Sequence, residues 1–237
     1  MANTLRKTFG SLESEGVRIP DSLRPVIAVI PARGGSKRLP RKALVRIGGR
    51  TLLELAVAQA LRLKRRGLLD RVLVSTEDAG IAAVARRAGA DIAERPRRLA
   101  TDCASTLSVI RHLRLEGTVV LLQVTSPLRR DSDVEACLAA FIRTRAPSVV
   151  TVTPAHPKPE WMYRIGKGGR LGKPVAKGAG SVAVALNGAV YVASARHLAR
   201  RGFVAPGSRF VLMPRECSVD IDEPMDLAQA RMLMPAR

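Results

Sequence analysis

Aromatic side chains are scarce in this chain: four Phe, two Tyr and one Trp in 237 residues. Proteins that hold single-stranded nucleic acid stack bases on such rings, so no nucleic-acid partner is expected. Cysteine and histidine are equally sparse. Cys103, Cys137 and Cys217 form no C-x-x-C pair, and His112, His156 and His197 are scattered. That spacing excludes a disulfide framework and a zinc site, and the thiols are expected to be small buried side chains in a reducing compartment. No apolar run reaches membrane-spanning length, and the opening residues lack the apolar stretch of a secretory leader. A cytoplasmic protein with no membrane partner is expected.

Acidic residues are outnumbered two to one. Lys and Arg total 40 against 20 Asp and Glu, a net charge of +20. Such a balance favours anionic partners. Many of the Arg residues fall on Ala- and Leu-rich stretches such as "AVAQALRLKRRG" and "AAVARRAGA", where they read as solvated helix faces. One cluster does not. In "VIPARGGSKRLPRKAL" (29–44) the side chains of Arg33, Lys37, Arg38, Arg41 and Lys42 crowd around two glycines. Like charges this close repel unless an anion sits among them, and Gly34-Gly35 lets the backbone approach it.

The length suits one large domain. Residues 1–24 are mixed and polar and read as a loosely ordered extension; 25–237 form the domain. Short β-branched runs alternate with helical patterns: strands at 26–32, 71–76, 118–125 and 148–154, helices at about 51–64 and 79–88, and a third opening near Asp131. This alternation implies right-handed βαβ units, and the fold expected is a three-layer α/β/α arrangement with a mostly parallel sheet. Between 154 and 185 the rhythm breaks. "PAHPKPEWMYRIGKGGRLGKPVAKGAG" is rich in Pro, Gly and Lys and carries Trp161 and Tyr163, as a flap or a partner-ordered excursion would. Strands return at 187–194 and 209–214, and a last helix starts at Pro224.

In open α/β sheets ligands bind beyond the carboxyl ends of the strands, which selects the loops after 26–32, 71–76 and 118–125. In the first, Gly34-Gly35-Ser36 can offer N–H groups, and Arg33, Lys37 and Lys42 can hold phosphate oxygens. The loop does not match the Walker pattern, which argues against ordinary P-loop chemistry. At the other end of the chain, "SVDIDEP" reads as a strand with Asp220 and Asp222 on one face and Val219 and Ile221 on the other. Either the acids hold a hard cation such as Mg2+, or one caps the following helix and the other is a solvated surface acid. A cationic loop for a polyphosphate and a carboxylate pair for its metal meet the needs of phosphoryl or nucleotidyl transfer.

Six stretches in register carry a resemblance: "IPARGGSKRLPRK", "VLVSTEDAGIAAVARRAGA", "ERPRRLATDCAST", "LLQVTSPLR", "NGAVYV" and "SVDIDEPMDL". Together they resemble the acylneuraminate cytidylyltransferase family, the CMP-sialic acid synthetases and their relatives acting on pseudaminic or legionaminic acid, over roughly residues 25–235. The later motifs of the related synthetase for the eight-carbon acid of lipopolysaccharide are not seen. The resemblance implies a Rossmann-like nucleotidyltransferase fold and a homodimer, with 154–186 as the dimerisation excursion. It also implies attack of a sugar hydroxyl on the α-phosphate of CTP, with pyrophosphate leaving. By position it implies that Arg33, Gly34, Gly35, Ser36, Lys37 and Lys42 hold the nucleotide phosphates. Arg95 and Thr106 would contact base or ribose, Gln123 and Asn187 the sugar, and Asp220 and Asp222 Mg2+. Arg33, Lys37, Lys42 and Asp222 would be catalytic.

The chain departs from the family pattern in three places. Ala43 follows Lys42 where the family commonly has an Asn that helps to read cytosine, and Arg97-Arg98 follows "ERP" where a Glu is usual. Val184-Ala185-Leu186 stands before Asn187 where an Arg for the sugar's carboxylate is typical. Arg164, Lys173 and Lys177 are the cations that could replace that Arg. The alternatives left open are an acceptor of another kind, such as a phosphonate or neutral sugar, and a non-catalytic binder of nucleotide or polyanion.

Overall fold

A computed structural model describes residues 16–157, 159–165, 170–174 and 183–234. Its centre is a seven-stranded sheet of β1 (Val26–Pro31), β4 (Arg71–Thr76), β5 (Asp91–Glu94), β6 (Thr118–Leu122), β7 (Ser148–Pro154), β10 (Val184–Ser194) and β11 (Arg209–Leu212), in the order β11-β7-β10-β6-β1-β4-β5. Every pairing is parallel except those of β10, which runs antiparallel to both β6 and β7.

The strand β1 shows why the run is continuously apolar. Val26, Ala28 and Ile30 pack into one core and Ile27 and Val29 into another, on opposite faces of the sheet. The first core takes helices α1 (Leu52–Arg65), α2 (Ala79–Arg87), α4 (Asp131–Thr144) and α6 (Pro224–Leu233); the second takes α3 (Thr106–His112) and α5 (Ala195–Arg200). The three-layer α/β/α expectation is met.

Helix starts follow local chemistry. Thr51 and Glu54 close a reciprocal capping box on α1, and Asp78 caps α2 through Ile81 N. Asp133 accepts from Arg130 N at the start of α4, and α6 opens on Pro224 as expected.

Four expectations need correction. The loose extension does not reach residue 24: Ile19 is buried, Val17 and Leu23 pack on the same core, and Asp21–Leu23 form a 3-10 turn. Residues 1–15 lie outside the described residues. The third strand stops at Leu122 rather than at 125. The 154–185 segment is not wholly irregular. It carries an antiparallel hairpin of β8 (Tyr163–Ile165) and β9 (Leu171–Pro174), with Trp161 and Tyr163 exposed. Cys103 is exposed, whereas Cys137 and Cys217 are buried as expected. A small hairpin of β2 (Arg46–Ile47) and β3 (Arg50–Thr51) leads into α1.

Candidate nucleotide and metal site

The carboxyl ends of β1, β5 and β6 open into a cavity of about 340 Å3, whereas the loop after β4, expected to contribute, does not line it. Arg33, Ser36, Lys42, Arg95, Thr106, Gln123, Asp220 and Asp222 all line it. Gly34, Gly35, Lys37 and Asn187 do not.

The loop after β1 is built by close packing. A Cβ on Gly34 would stand 2.6 Å from Asp78 Oδ2, which explains the glycine. Gly34 N donates to Glu77 Oε1 at 2.8 Å, and Ser36 N donates to Gly34 O at 3.1 Å. Two of the three N–H groups expected to face an anion are thus used within the protein, and the cavity's positive charge comes from side chains. Arg33 Nη2 and Lys37 Nζ both pair with Asp102, at 2.7 and 2.9 Å. The two cations hold the Asp102 carboxyl below its usual range, Lys37 more than Arg33. Lys37 is therefore a rim residue, highly exposed and tied to an acid.

Arg95 is buried beneath the loop, its Nη2 donating to Ser75 O at 2.6 Å and its Nε to Ser75 Oγ at 3.4 Å. Burial lowers its pKa, opposed by Glu77; a guanidinium starts so high that it stays charged.

The stretch 219–222 is not a strand, yet its alternation holds: Val219 and Ile221 are buried while Asp220 and Asp222 face the cavity. Neither acid caps α6. Asp226 does so, accepting from Asp222 N at 2.9 Å and Glu223 N at 2.8 Å, which leaves both carboxylates for the site. Their environments differ. Lys42 Nζ donates to Asp222 Oδ1 at 2.6 Å and Arg38 Nη2 to Oδ2 at 2.8 Å, and the Lys42 hydrogen bond leads in lowering that carboxyl. Asp220 is open to the cavity but walled by protein elsewhere. Desolvation pushes its carboxyl up, and the Asp222 charge adds to this.

Among the described residues no cluster of three His, Cys, Asp or Glu forms a closed metal cage. Two carboxylates on an open cavity beside a cluster of cations are instead the donor set that Mg2+ takes when it keeps its remaining places for water and substrate oxygens. The residues fit that ion.

The wall where the sugar is expected is shaped by the β10 bulge between Leu186 and Tyr191. Gly188 has φ +75° there, and a Cβ on it would stand 3.6 Å from both Asp220 Oδ2 and Gln123 Nε2. Asn187, expected to face the sugar, is buried and spends its amide inward. Its Oδ1 accepts from Thr151 Oγ1 at 2.7 Å and Ala189 N at 3.2 Å, and its Nδ2 donates to Ser218 Oγ at 3.0 Å and to Met213 Sδ at 3.2 Å. It shapes the bulge; the glycine beside it packs against Asp220 and Gln123, which line the cavity. Val184 and Leu186 are exposed apolar side chains, and Arg164 is exposed. Lys177 lies outside the described residues, and of Lys173 only the backbone is described.

Four site residues escaped the sequence reading. Asp102 lies in the quoted "ATDCAST" but nothing local marks it as a partner of the loop. Arg38 was one of five similar cations, and Gly188 was read only as part of "NGA". Arg129, in "SPLR", is buried and donates to Gln59 Oε1 at 2.7 Å, Gln123 O at 3.1 Å and Ala189 O at 2.8 Å. It ties α1, the end of β6 and the β10 bulge together.

Comparison with known proteins agrees with this architecture. A family model described as "Cytidylyltransferase" matches residues 27–156. The CMP-N,N'-diacetyllegionaminic acid synthase of Legionella pneumophila is 31% identical over 226 residues, covering 88% of this chain and 96% of that protein. The N-acylneuraminate cytidylyltransferase of Escherichia coli O18:K1:H7 is 32% identical, covering 86% of this chain and 51% of that one. Among solved structures, CMP:2-keto-3-deoxy-manno-octonic acid synthetase complexed with CTP superposes with a TM-score of 0.69 at 18% identity, covering 88% of this chain and 98% of that one; that likeness concerns the fold. With the family model spanning more than half of the chain and a relative matched along nearly its whole length, this chain belongs to the cytidylyltransferase family.

Proposed function

We propose that the chain transfers CMP from CTP to a sugar acid of the ulosonic class, releasing pyrophosphate, and that it does so with Mg2+ as a cytoplasmic homodimer. The observation that carries this reading is the meeting of Lys42 and Asp222 at the mouth of one cavity. It brings the cationic loop and the carboxylate pair to a single place. The relatives named for legionaminic, N-acylneuraminic and pseudaminic acids support the acceptor class.

In this reading Arg33, Ser36 and Lys42 grip the triphosphate and Arg95 and Thr106 flank the nucleoside. Arg33 and Lys37 exchange the Asp102 carboxylate for phosphate oxygens as CTP enters. Asp220 and Asp222 would hold Mg2+, and Asp222 would release Lys42 and Arg38 toward the phosphates as it does so. The bound ion would supply charge neutralisation at the α-phosphate and favour the alkoxide form of the acceptor hydroxyl. The acceptor hydroxyl attacks the α-phosphorus, the bond to the bridging oxygen breaks, and the cations offset the charge that pyrophosphate carries away. Gln123, with Gly188 packed behind it, receives the sugar.

Free cysteines support a reducing compartment, and no helix among the described residues is long and apolar enough to cross a membrane. The hairpin that exposes Tyr163, with the exposed Trp161 in the 3-10 turn before it, supports a second copy as its partner. The test of the transfer is the product: incubation with CTP, Mg2+ and an ulosonic acid should yield the CMP ester of that acid by mass spectrometry. Unchanged CTP and free acid would refute it.

A further inference from the structure

Behind the acceptor wall lies a second cavity of about 140 Å3, between α1 and the turn 126–129. Val124 contributes to the walls of both cavities. Arg50, Gln59, Arg62, Ser126 and Arg129 supply the polar part of the second cavity's lining, the rest being apolar side chains of α1 and the 124–127 turn. Two features of it are unresolved within the protein.

The first is the Arg129 guanidinium. Its three hydrogen bonds go to neutral acceptors, an amide and two carbonyls. Among the described residues no carboxylate closes an ion pair with it, and its Nη2 makes no hydrogen bond. Asp133 and Asp131 act on it only from farther away, and burial lowers its pKa to about 10. A buried cation without a counter-ion is costly. The second feature is Ser126 Oγ, which is buried and has no hydrogen-bond partner. A buried hydroxyl is normally satisfied. Arg50, on the rim, forms no ion pair among the described residues, while Arg62 is neutralised by a two-pronged contact with Asp131.

We infer that this cavity is a second anion subsite, sized for one carboxylate or one phosphate group, in which Ser126, Arg129 and Arg50 bind the oxygens. An oxyanion there accepts from Arg129 Nη2, and from the Ser126 hydroxyl once a change of rotamer turns Oγ out of its buried position toward the cavity. Because Arg129 also holds Gln123 and Ala189, occupancy of this subsite bears directly on the wall that faces the acceptor. The inference rests on the cavity itself and does not depend on nucleotidyl transfer.

Replacing Arg129 removes a structural tie and risks the fold, so Ser126 and Arg50 are the positions to test. The phosphate loop must first be silenced, and the Arg33→Ala/Lys42→Ala protein serves as background. Calorimetric titration of that protein with inorganic phosphate and, separately, with acetate should show one binding site. Adding Ser126→Ala should weaken binding about tenfold, the loss of roughly one hydrogen bond, while the melting temperature stays level or rises because an unsatisfied buried hydroxyl is gone. Arg50→Ala should weaken binding with no change in melting temperature. Tighter binding of phosphate identifies a phosphoryl guest and tighter binding of acetate a carboxylate; either supports the subsite. The inference is overturned if the background protein binds neither anion, or if binding is indifferent to both Ser126→Ala and Arg50→Ala.

Discussion

Lys42 Nζ and Asp222 Oδ1 stand 2.6 Å apart although 180 residues separate them in the chain. The contact places a cation from the first loop against an acid from the last. If both act on one phosphate-metal assembly, they must act together. Asp222→Ala should lower kcat by about 10^2–10^3-fold, with a smaller effect on the KM for CTP and a nearly unchanged melting temperature. Lys42→Met should do similar damage, and the double variant should lose less than the product of the two single losses. Strictly multiplicative losses would separate the two roles.

Arg95 lines the cavity, held by Ser75, at the place proposed for the nucleoside. Its removal should raise the KM for CTP by about 10- to 100-fold, the range of a lost charged hydrogen bond, with kcat affected less. The kinetic split between KM and kcat is the measurement, and a fall confined to kcat would contradict the placement.

Gly188 borders the space between Gln123 and Asp220 at positive φ. Gly188→Ala should strain the bulge by roughly 1–2 kcal/mol and raise the KM for the acceptor while leaving CTP binding by calorimetry unaltered. Loss of CTP affinity instead would show that the bulge serves the nucleotide.

The capping box gives a pH signature. Hydrogen bonds from the Thr51 backbone and then its hydroxyl hold the Glu54 carboxyl below its usual range. A depressed folded value means that the stabilisation is complete above the unfolded pKa of about 4.3 and fades as pH falls through the folded value. Glu54→Gln should therefore destabilise by up to about 1 kcal/mol near pH 6, and the gap in melting temperature should close progressively in acid. A gap independent of pH would contradict this assignment.

The sheet was legible where burial forces a pattern. β1 is apolar throughout because both its faces are covered, and the 219–222 alternation survives without a strand because Val219 and Ile221 still enter the core. β5 (Asp91–Glu94) was missed because an edge strand needs neither pattern, and α3 because seven residues hold too few turns for a periodic face. The cavity lining was largely readable because the motif residues sit on loops at strand ends. Asn187 and Lys37 were not placed well, since an amide or ammonium looks the same in sequence whether it faces a ligand or a neighbouring side chain. Asp102, Arg38 and Arg129 act through partners that only the folded chain brings near.

The most direct test of the account is pyrophosphate release by the wild-type protein and by Asp222→Ala, with Mg2+ and each of CTP, UTP, ATP and GTP. Each nucleotide is paired with N-acetylneuraminic, pseudaminic and legionaminic acids and with neutral sugars. Release by the wild type that requires CTP, Mg2+ and one of the acids, and that falls by about 10^2-fold or more in Asp222→Ala, is the predicted result. Release at a near wild-type rate in Asp222→Ala, or silence with every acid despite bound CTP, would contradict the central claim.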